Sequence, residues 1–129
     1  MSAAYLDASA AVKLVVEEEA SAALREALRE WPVRVSSELL AIELSRTARR
    51  RLGVVPAGVG TILGQCVLHP IDRDVVLAAT VVGPAAIATL DSIHLATALL
   101  VREAIGVFVS YDRRLLAAAD AFGLPVAAP

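Results

Sequence analysis

Residues 90–101 read Leu-Asp-Ser-Ile-His-Leu-Ala-Thr-Ala-Leu-Leu-Val, and the rest of the chain is organised around this stretch. Asp91 opens it, and no other Asp, Glu, Lys or Arg follows until Arg102. An Ala- and Leu-rich segment that is apolar on every face predicts a helix buried in a core. The carboxylate of Asp91 then has two interpretations, an N-cap that accepts a backbone N–H or a ligand for a metal or substrate at the mouth of the core. The stretch alone favours the cap.

Outward from this helix, short apolar strands alternate with helical patterns. The predicted strands are 3–6, 33–35, 67–69, 107–109 and 126–127. The predicted helices are 10–17, 20–31, 54–66, 72–82, 91–104 and 113–122, with one more from Ser36 or Ser37 to Leu52. This alternation predicts βαβ units and therefore an α/β fold with a parallel sheet. Because no repeat, low-complexity tract or linker divides the chain, residues 1–129 are expected to form one domain.

The composition excludes several classes of protein. Hydrophobic residues make up 57% of the chain and aromatic residues only 4%, so the core is expected to consist of Ala, Leu, Val and Ile. The single cysteine, Cys66, excludes an internal disulfide and a cysteine-based zinc site, and it favours a cytoplasmic location. The first residues lack the basic and apolar pattern of a signal peptide. The longest stretch without charged residues, 52–71, contains glycines and prolines, which argues against a membrane span.

Three aspartates and one glutamate stand at related places in this pattern. Asp7 and Asp112 each follow a predicted strand, and ligands of parallel sheets bind beyond the carboxyl ends of the strands. Glu43 lies beside the apolar face of its helix, where Arg46 or Arg49 could neutralise it. Each acid alone is explicable without a function. Together they would repel one another, and a hard cation such as Mg²⁺ or Mn²⁺ would relieve the repulsion and could clamp a scissile phosphate.

Four segments of the chain resemble the motifs of PIN-domain proteins. They are Tyr-Leu-Asp-Ala-Ser-Ala-Ala-Val-Lys (5–13), Glu-Leu-Ser-Arg (43–46), Leu-Asp-Ser-Ile-His-Leu-Ala-Thr-Ala (90–98) and Ser-Tyr-Asp-Arg-Arg-Leu (110–115). The resemblance is greatest to the VapC-type toxins of bacterial toxin–antitoxin pairs, and it covers essentially the whole chain in the right order. It implies a parallel sheet of about five strands sandwiched by helices.

The resemblance also implies a site and an activity. The quartet of acids that binds Mg²⁺ or Mn²⁺ in this family is matched by Asp7, Glu43, Asp91 and Asp112. Asp7 and Asp91 match direct ligands, whereas Asp112 acts directly or through water and Glu43 either binds the ion or orients a water. The implied activity is that of an endoribonuclease that cuts a structured RNA. The implied partners are a cognate antitoxin and a second copy of the chain, in a homodimer or a toxin–antitoxin hetero-oligomer.

Further residues receive supporting roles. Ser9 and Ser110 match small hydroxyl residues beside the acids and are expected to support them. The RNA-contact candidates are Arg46, Arg49, Arg50 and Arg113, although the arginines near Leu52 could instead only solvate the end of their helix. His94 is expected to be a hydrogen-bonded core residue rather than a metal ligand.

Two other classes of function remain open. A PIN-like scaffold without catalytic activity could work by binding a protein partner through its apolar surface. A phosphoacceptor receiver domain is also α/β with an acidic pocket. Receivers resemble one another in a lysine after a late strand, whereas the only lysine here, Lys13, lies in the first predicted helix.

Overall fold

The computed structural model of the protein describes residues 2–129. Within this range the strands are β1 (Ala3–Leu6), β2 (Arg34–Ser37), β3 (Cys66–His69), β4 (Ile105–Val109) and β5 (Val126–Ala127). The helices are α1 (Ala8–Ala11), α2 (Ser21–Leu28), α3 (Leu39–Leu52), α4 (Ala57–Gly64), α5 (Arg73–Val81), α6 (Thr89–Leu100) and α7 (Arg113–Ala121). Two 3₁₀ turns, Val12–Leu14 and Arg102–Ala104, follow α1 and α6.

The five strands form one parallel sheet, which confirms the predicted α/β fold. Their order is β3-β2-β1-β4-β5, so the first strand of the chain lies at the centre. Tyr5 of β1 pairs with Val35 on one side and with Phe108 on the other. The chain first builds outward from β1 to β3 and then returns to the opposite side of β1 as β4. The strand order therefore reverses between β1 and β4, which is where parallel sheets place their ligands.

Successive residues of the central strands face opposite sides of the sheet, as a pleated strand requires. Tyr5 and Phe108 pack with Leu95 of α6 and Leu115 of α7. The opposite face carries Leu6, which packs with Val107, Val109 and residues of α2. A third cluster joins α1, α3 and α4 through Ala11, Val12, Leu40, Leu44, Ala48 and Val59. The helices thus cover both faces of the sheet.

Helix α6 is less uniformly buried than the sequence predicts. Its buried residues are Ser92, His94, Leu95, Ala96, Thr97 and Ala98. Leu90 and Leu100, near its two ends, are 49% and 47% exposed. The helix also ends at Leu100 rather than at 104, because Val101 leaves the helical conformation with φ −109° and ψ 20°. No helix in residues 2–129 combines the length and the apolar character that crossing a membrane requires.

The bounds of other elements also differ from those predicted. The helix expected at 10–17 is α1 followed by a 3₁₀ turn, since the β-branched Val12, Val15 and Val16 disfavour a longer α-helix. β2 extends to Ser37, and its hydroxyl oxygen accepts the amide hydrogen of Leu39 at 3.1 Å. The N-cap position of α3 is Glu38, whose side chain makes no capping bond, so the prediction of Ser36 or Ser37 as the cap is wrong.

Candidate active site

Asp7 lies where β1 ends and α1 begins. It is only 3% exposed. Its Oδ1 accepts the backbone N–H of Ala10 at 2.9 Å, so Asp7 is the N-cap of α1. The hydroxyl of Ser9 donates to the same oxygen at 2.7 Å, and the hydroxyl of Ser110 donates to Oδ2 at 2.6 Å. Burial raises the pKa of Asp7, and the two serine hydrogen bonds oppose that rise.

Ser9 and Ser110 connect the ends of the two central strands. Ser9 Oγ accepts the amide hydrogen of Tyr111 at 2.8 Å, and Ser110 Oγ accepts that of Asp112 at 3.0 Å. Because a hydroxyl has only one hydrogen, accepting these amides leaves that hydrogen free to be donated to Asp7. The two serines therefore fix Asp7 relative to the segment that carries Asp112.

Asp112 is the N-cap of α7. Its Oδ1 accepts the backbone N–H groups of Arg114 and Leu115 at 2.9 and 3.1 Å. The second oxygen, Oδ2, takes part in neither bond. Capping and ligand binding are thus compatible for this carboxylate, because they can use different oxygens.

Asp91 is not an N-cap, so that interpretation of the opening stretch is wrong. The cap position of α6 is Ala88, and no side chain caps this helix. Asp91 lies in the first turn, where the helix dipole favours a negative charge. Its pKa is nevertheless raised, first by burial and then by the charges of Asp112 and Asp7, with a smaller contribution from Glu43. The structure therefore brings the four predicted acids into one electrostatic neighbourhood.

Glu43 has a different partner from the one that the sequence suggested. Its Oε1 lies 2.6 Å from Nε2 of His94, whose side chain is 1% exposed. Neutralisation of Glu43 by Arg46 or Arg49 is thus wrong, because the imidazole occupies this contact. His94 is the hydrogen-bonded core residue that the sequence predicts, and its Nδ1 lies 2.8 Å from the hydroxyl of Tyr5. The spacing of Asp91 and His94, one helical turn apart, was the available signal that His94 borders the acids.

Metal-ligating geometry is not complete among these side chains. In the part of the chain that the structure describes, no three Asp, Glu, His or Cys side chains are arranged so that they could hold a metal ion. The four acids are close enough for their charges to interact, but their oxygens do not form a coordination shell.

The predicted arginines lie on two helices. Arg46, Arg49 and Arg50 line an open depression of about 370 Å³ on α3. Arg51 instead pairs with Glu18, which also binds Lys13. Arg113 is an exposed residue of the first turn of α7, directly after Asp112.

The fold and the acidic site define a class of protein, and comparison with known families identifies it. The model of the PIN domain matches residues 4–121. The chain belongs to the PIN-domain family, which confirms the resemblance seen in its four motifs.

Particular relatives are ribonucleases of Mycobacterium tuberculosis. Ribonuclease VapC46 is 39% identical over 129 residues, a match that spans 100% of this chain and 99% of that protein. Ribonuclease VapC47 is 32% identical and covers 97% of this chain and 96% of its own length. The crystal structure of VapC20, described as a Sarcin-Ricin loop cleaving toxin, has a TM-score of 0.71 at 13% identity. It covers 98% of this chain and 100% of its own, and at this identity it supports the fold alone.

Proposed function

We propose that the protein is a divalent-metal-dependent endoribonuclease and the toxin of a toxin–antitoxin pair. The observation that carries this proposal is that Ser110 bonds both to the carboxylate of Asp7 and to the backbone of Asp112, where two central strands end. The charges of Asp7, Glu43 and Asp112 also contribute to the raised pKa of Asp91. These acids lie near the ends of β1 and β4, the two strands between which the strand order reverses. The PIN family and the ribonuclease relatives support the same activity.

The donor set fits Mg²⁺ or Mn²⁺. All four side chains offer carboxylate oxygens, which are the ligands that these hard cations prefer. Asp7, Asp91 and Asp112 would hold the ion, and Glu43 would hold it or orient a water. When bound, the cation activates a water and neutralises charge that develops on the scissile phosphate. Side-chain movements would be needed, since the present arrangement is not a coordination shell.

The chain's own residues position this chemistry. Ser9 and Ser110 hold both oxygens of Asp7, which limits rotation of its carboxylate. The capping bonds of Asp112 fix its Oδ1 and leave Oδ2 to face a ligand. Hydrolysis forms a bond between phosphorus and the water oxygen and breaks the bond from phosphorus to O3′. We therefore expect products with 5′-phosphate and 3′-hydroxyl ends.

The exposed arginines suit the RNA backbone. Arg46, Arg49 and Arg50 are not committed to the ion pair that holds Arg51. Guanidinium groups match the geometry of phosphate oxygens. We assign these three residues and Arg113 to phosphate contacts that position the RNA, without sequence readout.

Apolar side chains on the surface suit protein partners. Val81 is 81% exposed, Val54 62% and Ile42 57%. Such residues would be covered by an antitoxin or by a second copy of the chain. The partners proposed here are therefore an RNA substrate, a cognate antitoxin and a homodimer or toxin–antitoxin hetero-oligomer.

The decisive experiment is cleavage of RNA by the purified protein with Mg²⁺ or Mn²⁺. We expect excess EDTA to abolish cleavage and Asp91→Asn to lower kcat by orders of magnitude. Asp74→Asn is the matched control, because Asp74 occupies the first turn of α5 as Asp91 does that of α6. Cleavage that survives chelation would contradict the proposal. Loss of cleavage in both variants would assign the effect to helix stability instead.

A further inference from the structure

A row of three polar side chains, two of them fully buried, lies beneath the acidic site. Tyr5 and His94 are 0% and 1% exposed, and they come from β1 and α6. The hydroxyl of Tyr5 lies 2.8 Å from Nδ1 of His94, and Nε2 of His94 lies 2.6 Å from Oε1 of Glu43 on α3. The row therefore links three elements of the fold and ends on one of the four acids.

The aromatic packing leaves Tyr5 little freedom. Its ring stacks on Phe108 with a centroid distance of 5.1 Å and an angle of 6°. It meets the ring of His94 edge-on, with a centroid distance of 5.8 Å and an angle of 83°. Both the hydroxyl of Tyr5 and the imidazole it contacts are thus held by packing as well as by hydrogen bonds.

The protons in this row can be assigned from the chemistry of its members. Burial raises the pKa of Tyr5, so the phenol keeps its hydrogen. A neutral imidazole has one N–H donor and one acceptor nitrogen. When the phenol donates to Nδ1, the imidazole hydrogen stands on Nε2 and is donated to Glu43. If Nδ1 of the neutral imidazole carried the hydrogen instead, Nε2 would be an acceptor, and only a protonated Glu43 could donate to it.

We propose that His94 is a positioning residue whose Nε2–H, fixed by Tyr5, holds the carboxylate of Glu43 in its orientation toward the other acids. The bond uses Oε1, and Oε2 takes no part in it. A carboxylate that binds a metal or water is commonly oriented by a hydrogen bond from behind, and loss of that bond costs about 10–100-fold in metal affinity or activity. This inference rests on the proposed function, because it gives Glu43 its task there.

The first test needs no substitution at the site. Nitrogen-15 NMR of the metal-free wild-type protein shows which imidazole nitrogen carries hydrogen. The chain has two histidines, so His69→Gln assigns the signals. We expect His94 to carry hydrogen on Nε2 and none on Nδ1. Hydrogen on Nδ1, alone or together with Nε2, would overturn the role given to Tyr5.

The second test compares two amides at position 94. His94→Gln can place an N–H donor near the position of Nε2, whereas His94→Asn can reach only the position of Nδ1. We expect His94→Asn to lower kcat and Mn²⁺ affinity by about 10–100-fold, with KM for RNA nearly unchanged, and His94→Gln to recover most of the loss. Calorimetric titration of Mn²⁺ without RNA gives a readout independent of cleavage.

Tyr5→Phe provides a gentler variant in case His94→Asn does not fold. It removes one oxygen and keeps the stacked ring. We expect kcat to fall, because the imidazole loses the hydrogen bond that holds its ring at Nδ1, while Glu43 still accepts from Nε2. An unchanged kcat in Tyr5→Phe would overturn the proposal, as would equal losses in His94→Gln and His94→Asn.

These outcomes separate the inference from the proposed function. A wild-type protein that shows no metal-dependent cleavage defeats the nuclease assignment, while the tautomer measurement still reports on the Tyr5–His94–Glu43 row. A wild-type protein that cleaves RNA, but whose two His94 variants behave alike, defeats the positioning role alone.

Discussion

At the scale of single residues, the four acids differ in what holds their carboxylates. Asp7 accepts two hydroxyls and an amide, Asp112 accepts two amides, and Glu43 accepts an imidazole. Asp91 stands at the start of a helix that no side chain caps. Removal of each charge therefore has a different effect on stability. The neighbouring acids repel the charge of Asp91, and this side chain makes no capping bond. Its charge can therefore be removed without the loss of a cap.

We therefore expect Asp91→Asn to stabilise the metal-free protein by at most about 1 kcal/mol, because Asp91 is only partly buried and solvent screens the repulsion from its neighbours. The cause is that burial and the charges of Asp112 and Asp7 disfavour the ionised form of Asp91. Urea unfolding in EDTA measures the difference, with Asp74→Asn as control. A loss of stability in Asp91→Asn would show that its charge supports the fold.

The same cause predicts a dependence on pH. A raised carboxyl pKa means that the folded state binds more protons than the unfolded state between the ordinary and the raised pKa, so stability falls as pH rises through this window. The pKa is raised for both Asp7 and Asp91. We expect the stability advantage of Asp91→Asn over the wild type in EDTA to grow as the pH rises above about 4, the ordinary pKa of an aspartate. An advantage that does not change with pH would contradict the raised pKa of Asp91.

At the scale of elements, the close packing of β4 depends on one glycine. The pairing of β1 with β4 shifts register between Ala3 and Ala4, opposite the stretch that contains Gly106. A Cβ atom at Gly106 would overlap the ring of Trp31. The sequence predicts strand β4 from its β-branched and aromatic residues, but it cannot reveal this contact, which forms only when the segment after α2 crosses the strand.

We expect Gly106→Ala to destabilise the protein by about 1–3 kcal/mol, because the overpacked ring of Trp31 must move. Gly58→Ala in α4 is the matched control, since a Cβ atom there meets nothing within 4 Å. That control should gain about 0.4–1 kcal/mol through the lower entropy of the unfolded chain. Denaturant unfolding of both variants checks the contrast, and similar effects at the two glycines would contradict the packing argument.

At the scale of the whole molecule, the topology joins residues that lie far apart in the sequence. The existence and type of the strands could be predicted, because apolar runs and turn residues are local signals. The strand order could not be read from these signals, since the same β–α alternation fits several parallel sheets. The motifs led to all four acids, but the pairing of Glu43 with His94 depends on how α3 and α6 meet beneath the site.

Binding of a divalent cation at the four acids should stabilise the folded protein. A ligand at 100 times its Kd adds about 2.7 kcal/mol when it binds only the folded state. We expect Mn²⁺ or Mg²⁺ to raise the Tm of the wild type and of Asp74→Asn, and to leave that of Asp91→Asn nearly unchanged. Equal shifts in all three proteins would place cation binding outside the acidic site. No shift in any of them would favour a catalytically inactive module that acts through protein binding.

The central position of the first strand has a consequence during synthesis on the ribosome. β1 leaves the exit tunnel first, yet one of its two neighbours, β4, is translated about a hundred residues later. Until Ser110 and Asp112 have emerged, Asp7 lacks one of the hydroxyls that hold it and one of the four acids is absent from the site. A nascent chain therefore carries an unfinished site beside the translating machinery, and that site can form only after the segment with Ser110 and Asp112 has left the tunnel.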